Sequence, residues 1–311
     1  ATLGVVAPIA LGFLTSRWVH PGHSPLVHWF AGATLCATSV GITARVLGEL
    51  KRTGSAAGRI ILGAAVIDDV MGLIVLALVS GVIRAADLGQ DFRPAAAVAI
   101  AAKAVGFLVA AVVAGRWISR RVILIVARFQ IQGLLSSLAL GTCFGLSWLA
   151  GTFGLAPIVG AFAAGLVLES GAVEPLRSRD LDHRTVAQRI EPLSSFLTPV
   201  FFVLMGMRVD LAAFSRPGVL GFAVLLTLAA VIGKQVCALG VLEKGVDRLA
   251  VGFGMIPRGE VGLIFAGIGA GLSIAGERVV DDQLYAAVVF MVAITTLIAP
   301  PLLAWRLRLK A

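Results

Sequence analysis

Ten apolar runs follow one another along this chain. Each is close to the roughly 20 residues an α-helix needs to cross a hydrocarbon core. They are A 2–18, B 26–48, C 58–83, D 94–117, E 133–152, F 155–173, G 193–208, H 217–242, I 248–272 and J 283–305. In lipid, only helices and closed barrels satisfy their own backbone groups. The runs lack the alternation of barrel strands, so the expected fold class is an all-α polytopic membrane protein with about ten transmembrane helices. Charged residues make up 14% of the 311, against roughly 25% in soluble domains. The 36 glycines suit closely packed membrane helices.

A net charge of +9 raises the question of nucleic acid, but the basic residues sit in short loops between apolar runs, as membrane topology requires; no nucleic-acid partner is expected. With the A–B loop outside, the inner loops hold seventeen lysines and arginines. The outer loops hold five: Arg84, Arg93, Arg208, Arg216 and Arg278. Both ends of the chain are therefore expected in the cytoplasm. The longest polar segment, 174–192, reads as a short amphipathic helix on the membrane surface. Cys36, Cys143 and Cys237 each fall within an apolar run, an arrangement that argues against a disulfide framework. Ala1 leads straight into run A without the n-region or cleavage site of a signal peptide. A fragment lacking its true N-terminus is expected.

Ionisable residues inside a membrane are rare and functional by default. Run C carries two adjacent ones, Asp68 and Asp69. Asp68 lies about ten residues inside the cytoplasmic end of C, or ~15 Å. Lys234 lies about eight residues from the inner end of H, or ~12 Å. Pro257, Arg258 and Glu260 lie about ten residues into I, and Thr38 and Ser39 about ten from the inner end of B. Four elements with polar or helix-breaking chemistry thus share one level near the midplane.

B and I read as broken helices. Proline in GMIPRGEVG (254–262) removes a backbone donor, and Thr38 and Ser39 in ATSVG (37–41) can satisfy freed carbonyls or bind an ion. B and I run in opposite directions at matching places in A-B-C and H-I-J. This is the footprint of inverted-topology repeats with two crossing discontinuous helices, a transporter architecture. The expected divisions are a first core repeat 1–93, connecting helix D in 94–132, helices E–G in 133–215 and a second core repeat 216–311.

Neighbours on a helix point about 100° apart, so Asp68 and Asp69 cannot both face one partner. One can meet Lys234 while the other faces a water-filled cavity. Burial disfavours the charged forms and pairing favours them, so the pair reads as an alternating site for a proton and a cation.

Six stretches then carry a resemblance: TSVGITARVLGEL (38–50), AAVIDDVMGLIVLA (64–77), GLAPIVGAFAAGLVLES (154–170), LTPVFFVLMGMRVDL (197–211), GKQVCALG (233–240) and GMIPRGEVGLI (254–264). The chain resembles bacterial sodium/proton antiporters of the cation:proton antiporter superfamily, in the monovalent cation:proton antiporter-2 branch. The resemblance implies a core of A, B, C, H, I and J that moves against a dimer side containing E–G, with two or three N-terminal helices missing. It implies that Asp69 binds cation and proton, that Asp68 is the preceding acid of electrogenic exchangers, and that Lys234 pairs with Asp68. It places Thr38 and Ser39 in the first unwound stretch and Arg258 and Glu260 in the second. Potassium-efflux relatives gated by glutathione tend to carry Gln-Asp where this chain has Asp-Asp.

The expected function is exchange of protons for Na+, Li+ or K+ in the bacterial inner membrane, by a homodimer when full length. The transported cation is the only metal expected, at Asp69 and Asp68. No cofactor is expected, and no nucleophile–base constellation suggests an enzyme. Two rivals stay open: a sodium-coupled symporter of organic anions and a non-transporting sensor subunit.

Blander alternatives stand beside several residues. Lys234 could snorkel to the cytoplasmic face. Glu260 could offset positive helix ends, and Arg258 could pair with Glu260 or cap carbonyls. Lys103 is expected to snorkel or face a neighbouring helix. His20, His23 and His28 are expected in a solvated outer loop, and GSAAG (54–58) in a turn rather than a phosphate loop.

Overall fold

The computed structural model describes residues 1–89, 94–126, 134–169, 186–243 and 245–309. Residues 174–185 of the polar segment, and Arg93, Arg128, Arg177, Arg179, Arg184, Lys244 and Lys310, lie outside them. By packing, the chain divides into two units, Ala1–Phe92 with Leu204–Ala311, and Arg93–Val203.

The first unit begins with α1 (Thr2–Val19) and a helix in two pieces, α2 (Pro25–Thr34) and α3 (Val40–Glu49), followed by α4 (Ala56–Asp87). After residue 204 the same order returns: α9 (Val219–Gln235), a second helix in two pieces, α10 (Arg248–Gly254) and α11 (Gly259–Ala270), then α12 (Asp282–Arg308). Starts are set by side chains that accept the free N–H groups of a first turn. Ser55 does this for α4 at Gly58 N (3.1 Å) and Asp281 for α12 at Leu284 N (2.8 Å). Asp247 caps α10 at Leu249 N (3.2 Å) and also receives Arg306 Nε from the end of α12 at 2.8 Å.

α1 is the centre of this unit, packed against both α2 and α9. Small residues permit the approach. A Cβ on Gly12 would stand 2.8 Å from the Gly32 Cα, and one on Gly233 2.7 Å from the Pro8 Cα. The α10–α11 pair bends by 48°. Pro257 cannot donate to a helical ladder, and Gly259 at φ +47 leaves right-handed helical space.

The second unit holds α5 (Pro94–Val126), α6 (Leu134–Thr152), α7 (Pro157–Glu169) and most of α8 (Val186–Met207). α6 and α7 turn back on each other through Gly154 at φ +75 and pack so closely that Gly160 faces the Leu146 carbonyl with no room for a Cβ. Lys103 of α5 donates to Phe153 O in that turn at 3.0 Å. Among the described residues, six helices are long and apolar enough to cross a membrane, and the bent pair adds a seventh.

Several details differ from expectation. Residues 186–192 are not part of a separate surface helix; they run on into α8, whose long apolar stretch continues the helix past Pro192 although that residue donates no ladder hydrogen bond. Run H ends as a 3-10 turn, Val236–Gly240. A two-strand hairpin, β1 (Ser273–Ile274) with β2 (Glu277–Arg278), links α11 to α12. His28 is not in a solvated loop. It sits on the inner face of α2, 2% exposed, with Nδ1 2.9 Å from Ser16 Oγ. Only His20 and His23 lie in the turn, their rings stacked at 5.2 Å. Partial burial, reinforced by the neighbouring His23, pulls the His20 pKa below the usual imidazole value.

Candidate functional site

The two breaks meet, and their contact is made by backbone. Ser39 N donates to Pro257 O at 2.7 Å. Such irregular backbone is tolerated at membrane depth only where it is buried and satisfied. Leu35 to Ser39 are all fully or nearly fully buried, as are Met255 to Arg258.

Two buried cations satisfy the first break. Lys234 Nζ donates to Cys36 O at 2.7 Å. Arg258 donates through Nη1 to Ala37 O and through Nη2 to Ala230 O at 3.0 Å. Adjacent carbonyls of the unwound stretch therefore each receive a charge-assisted hydrogen bond, the stronger kind. Ala230 lies one turn before Lys234 on α9, so Arg258 also ties the second break to the helix that carries the lysine. Arg258 does not pair with Glu260.

Asp68 is fully buried against this arrangement. Its Oδ2 is bonded to Lys234 Nζ and accepts from Thr38 Oγ1 at 2.9 Å. The lysine is fully buried too, so it does not snorkel. An ion pair removed from water offsets its desolvation only with close geometry and further hydrogen bonds; here Thr38 and Cys36 O supply two, while Oδ1 of Asp68 stays buried without a partner among the described residues.

Asp69 points elsewhere. It is half-buried, and its Oδ1 is buried without a hydrogen-bond partner among the described residues. Asp68, Glu260 and Lys234 all act on it electrostatically. Glu260 is also half-buried, with Oε2 accepting from Ser39 Oγ at 3.4 Å. Thr38 and Ser39 thus serve different carboxylates, Thr38 that of Asp68 and Ser39 that of Glu260. The arrangement can hold one positive charge at Asp69, in the form of a proton or a small cation, with a neighbouring pair already balanced.

Gly259 makes the crossing possible. A Cβ there would lie 2.6 Å from Ser39 Cβ and Oγ, and its φ is one that L side chains rarely adopt. Gly259→Ala is expected to lower stability by about 1–3 kcal/mol through backbone strain, before the clash is counted. Thermal unfolding of the purified protein would show it, and an unchanged melting temperature would mean that the crossing tolerates a wider spacing.

The acceptors Cys36 O, Ala37 O and Ala230 O belong to the site without any signal in residue type. Thr43 also belongs to the crossing. It is buried and donates to Gly254 O at 2.6 Å. Its place one helical turn after Ser39 was the available clue.

Residues 1–309 match the transmembrane sodium/hydrogen exchanger family. The high-affinity Na(+)/H(+) antiporter NhaS3 of Synechocystis sp. is 38% identical over 308 residues, which are 97% of this chain and 62% of that protein. The Na(+)/H(+) antiporter of Enterococcus hirae is 28% identical over 310 residues, 98% of this chain and 75% of that one. This chain therefore spans less than two thirds of the first relative and three quarters of the second. Among solved structures, the sodium proton antiporter MjNhaP1 from Methanocaldococcus jannaschii at pH 8 superposes with a TM-score of 0.72 at 19% identity, over 98% of this chain and 75% of that one; that likeness is one of fold. Apolar helices, two discontinuous helices meeting at their breaks and a match along nearly the whole chain make this a multi-pass membrane protein of the sodium/hydrogen exchanger family.

Proposed function

We propose that the full-length protein is a secondary antiporter that exchanges protons for Na+, or for Li+ or K+, with Asp69 as the shared binding group. The observation that carries this reading is the half-buried Asp69 carboxylate, which lies outside the Asp68–Lys234 ion pair and, like Oδ1 of Asp68, has a buried oxygen without a partner among the described residues. The names of the relatives support it. In the proposed cycle Asp69 releases its proton to the cytoplasm and accepts a cation, helped by Asp68 and by the hydroxyls of Thr38 and Ser39. Cation entry loosens Asp68 from Lys234. The unit holding the two broken helices then moves, and the site opens to the other side, where protons displace the cation. Pro257, Arg258 and Glu260 serve the geometry and electrostatics of the crossing. If Lys234 also gives up a proton in each cycle, two protons move per cation and the exchange is electrogenic.

The domain assignment belongs to this reading. Residues 1–93 and 216–311 form the moving core, 94–132 the connection and 133–215 the dimer side. So do a homodimeric full-length protein, a place in the bacterial inner membrane and cytoplasmic ends for this chain, the last supported by the loop charges.

The test is cation-induced dequenching of a pH-sensitive dye in proteoliposomes holding the full-length protein. Na+, Li+ and K+ are tried in turn, with and without a clamped membrane potential. A signal names the ion, and sensitivity to the clamp establishes electrogenicity. Silence with all three cations from folded protein would overturn the reading in favour of symport or sensing.

A further inference from the structure

α10 is only seven residues long, and the carbonyls at its C-terminal end have no continuing turn to accept from. One of them, Gly254 O, accepts from the buried hydroxyl of Thr43 on α3 at 2.6 Å. One turn earlier on α3, Ser39 donates its N–H to Pro257 O at 2.7 Å and its hydroxyl to Glu260 at 3.4 Å. Ser39 and Thr43 are four residues apart and share a helix face. Their partners at 254, 257 and 260 step along the second break three residues at a time. Two residues on one half-helix thus meet the second break at three points.

The two contacts of Ser39 with the second break differ in strength. The Ser39–Glu260 bond is long, and the Ser39 N–H bond fixes only one point. Arg258 on Ala37 O fixes a second, and Thr43 adds one farther along α3. It resists rotation of α3 against the end of α10 and so supports the long Ser39–Glu260 bond; Glu260 in turn acts electrostatically on Asp69. Without the Thr43 hydroxyl, Gly254 O is left as a buried acceptor without a donor, and the end of α10 must shift to find one.

We propose that Thr43 is a positioning residue for the cation site, clamping the end of α10 to α3 so that Ser39 holds Glu260 in place at the crossing. The proposal rests on the exchange reading above. It assigns Thr43 no contact with the ion.

The experiment measures exchange by the full-length protein against cation concentration for wild type, Thr43→Val and Thr43→Ser. Valine keeps the shape and removes the hydroxyl; serine keeps the hydroxyl. Thr43→Val is expected to raise the half-saturating cation concentration roughly three- to tenfold, the scale of one hydrogen bond, with a maximal rate little changed. Thr43→Ser is expected to match wild type. A Thr43→Val protein that melts earlier but half-saturates like wild type would overturn the proposal, since the hydroxyl would then serve stability alone. If valine does not yield folded protein, Thr43→Ala replaces it. Recovery of only the serine variant would likewise assign the hydroxyl to folding and overturn the proposal. Wild-type protein that exchanges no cation would instead remove the exchange reading itself, a distinguishable result.

Discussion

In proteoliposomes, Asp69→Asn is expected to abolish cation-driven proton release while leaving the fold intact. The carboxylate is half-buried, with one buried oxygen unpartnered among the described residues. It stands within electrostatic range of two other acids, Asp68 and Glu260. Asparagine has nearly the same shape and cannot trade a proton for a cation. Removing a poorly compensated charge from such a place relieves like-charge repulsion, so the variant should melt no earlier than wild type. Added Na+ should raise the melting temperature of wild type, because a ligand bound only by the folded state stabilises it. That rise should be absent in Asp69→Asn. Residual exchange in the variant would move the binding group to Asp68. A large loss of stability would make Asp69 a structural residue.

Lys234→Met should have the largest effect on stability. Asp68 and Lys234 are fully buried and bonded to each other. Breaking such a pair from one side leaves an uncompensated charge and costs about 3–5 kcal/mol. Cys36 O also loses its donor. The double variant Asp68→Asn, Lys234→Met removes both charges, and it should recover much of the loss, because replacing both members of a buried pair is often nearly neutral. Thermal unfolding of the two single variants and the double variant isolates the coupling. Additive losses would mean that the pair contributes little beyond its separate contacts. In transport, the double variant tests whether Lys234 carries a proton: exchange that persists and becomes insensitive to membrane potential would assign it that role.

The sequence was most informative where chemistry is written in residue type. Apolar length marks the spans, and Pro257 with Gly259 marks the second break. The first break was visible only as Thr38 and Ser39 in a greasy run. Residue chemistry alone left open which aspartate meets Lys234; the resemblance named Asp68, and the geometry puts it there. What stayed hidden depends on tertiary packing. Peptide carbonyls look alike in sequence, so nothing marked Cys36, Ala37 and Ala230 as acceptors for buried cations. His28 reads as a polar loop residue until Ser16 of α1 is packed beside it. Residues 186–192 carry Arg189 and Glu191 and look like a surface element, yet the helix that follows extends back through them.

Three acids at the crossing, Asp68, Asp69 and Glu260, stand against two buried bases, Lys234 and Arg258. With all five ionised, the crossing carries one unpaid negative charge. One monovalent cation cancels it, and so does one proton. An empty site would have to take that charge through the apolar middle of the bilayer, where an isolated ion is strongly disfavoured. Under the proposed exchange, the same arithmetic that lets either occupant travel keeps the vacant carrier in place. If Lys234 keeps its proton through the cycle, neither gradient would run down alone, because Lys234 and Arg258 would hold their charges against the carbonyls of Cys36 and Ala37.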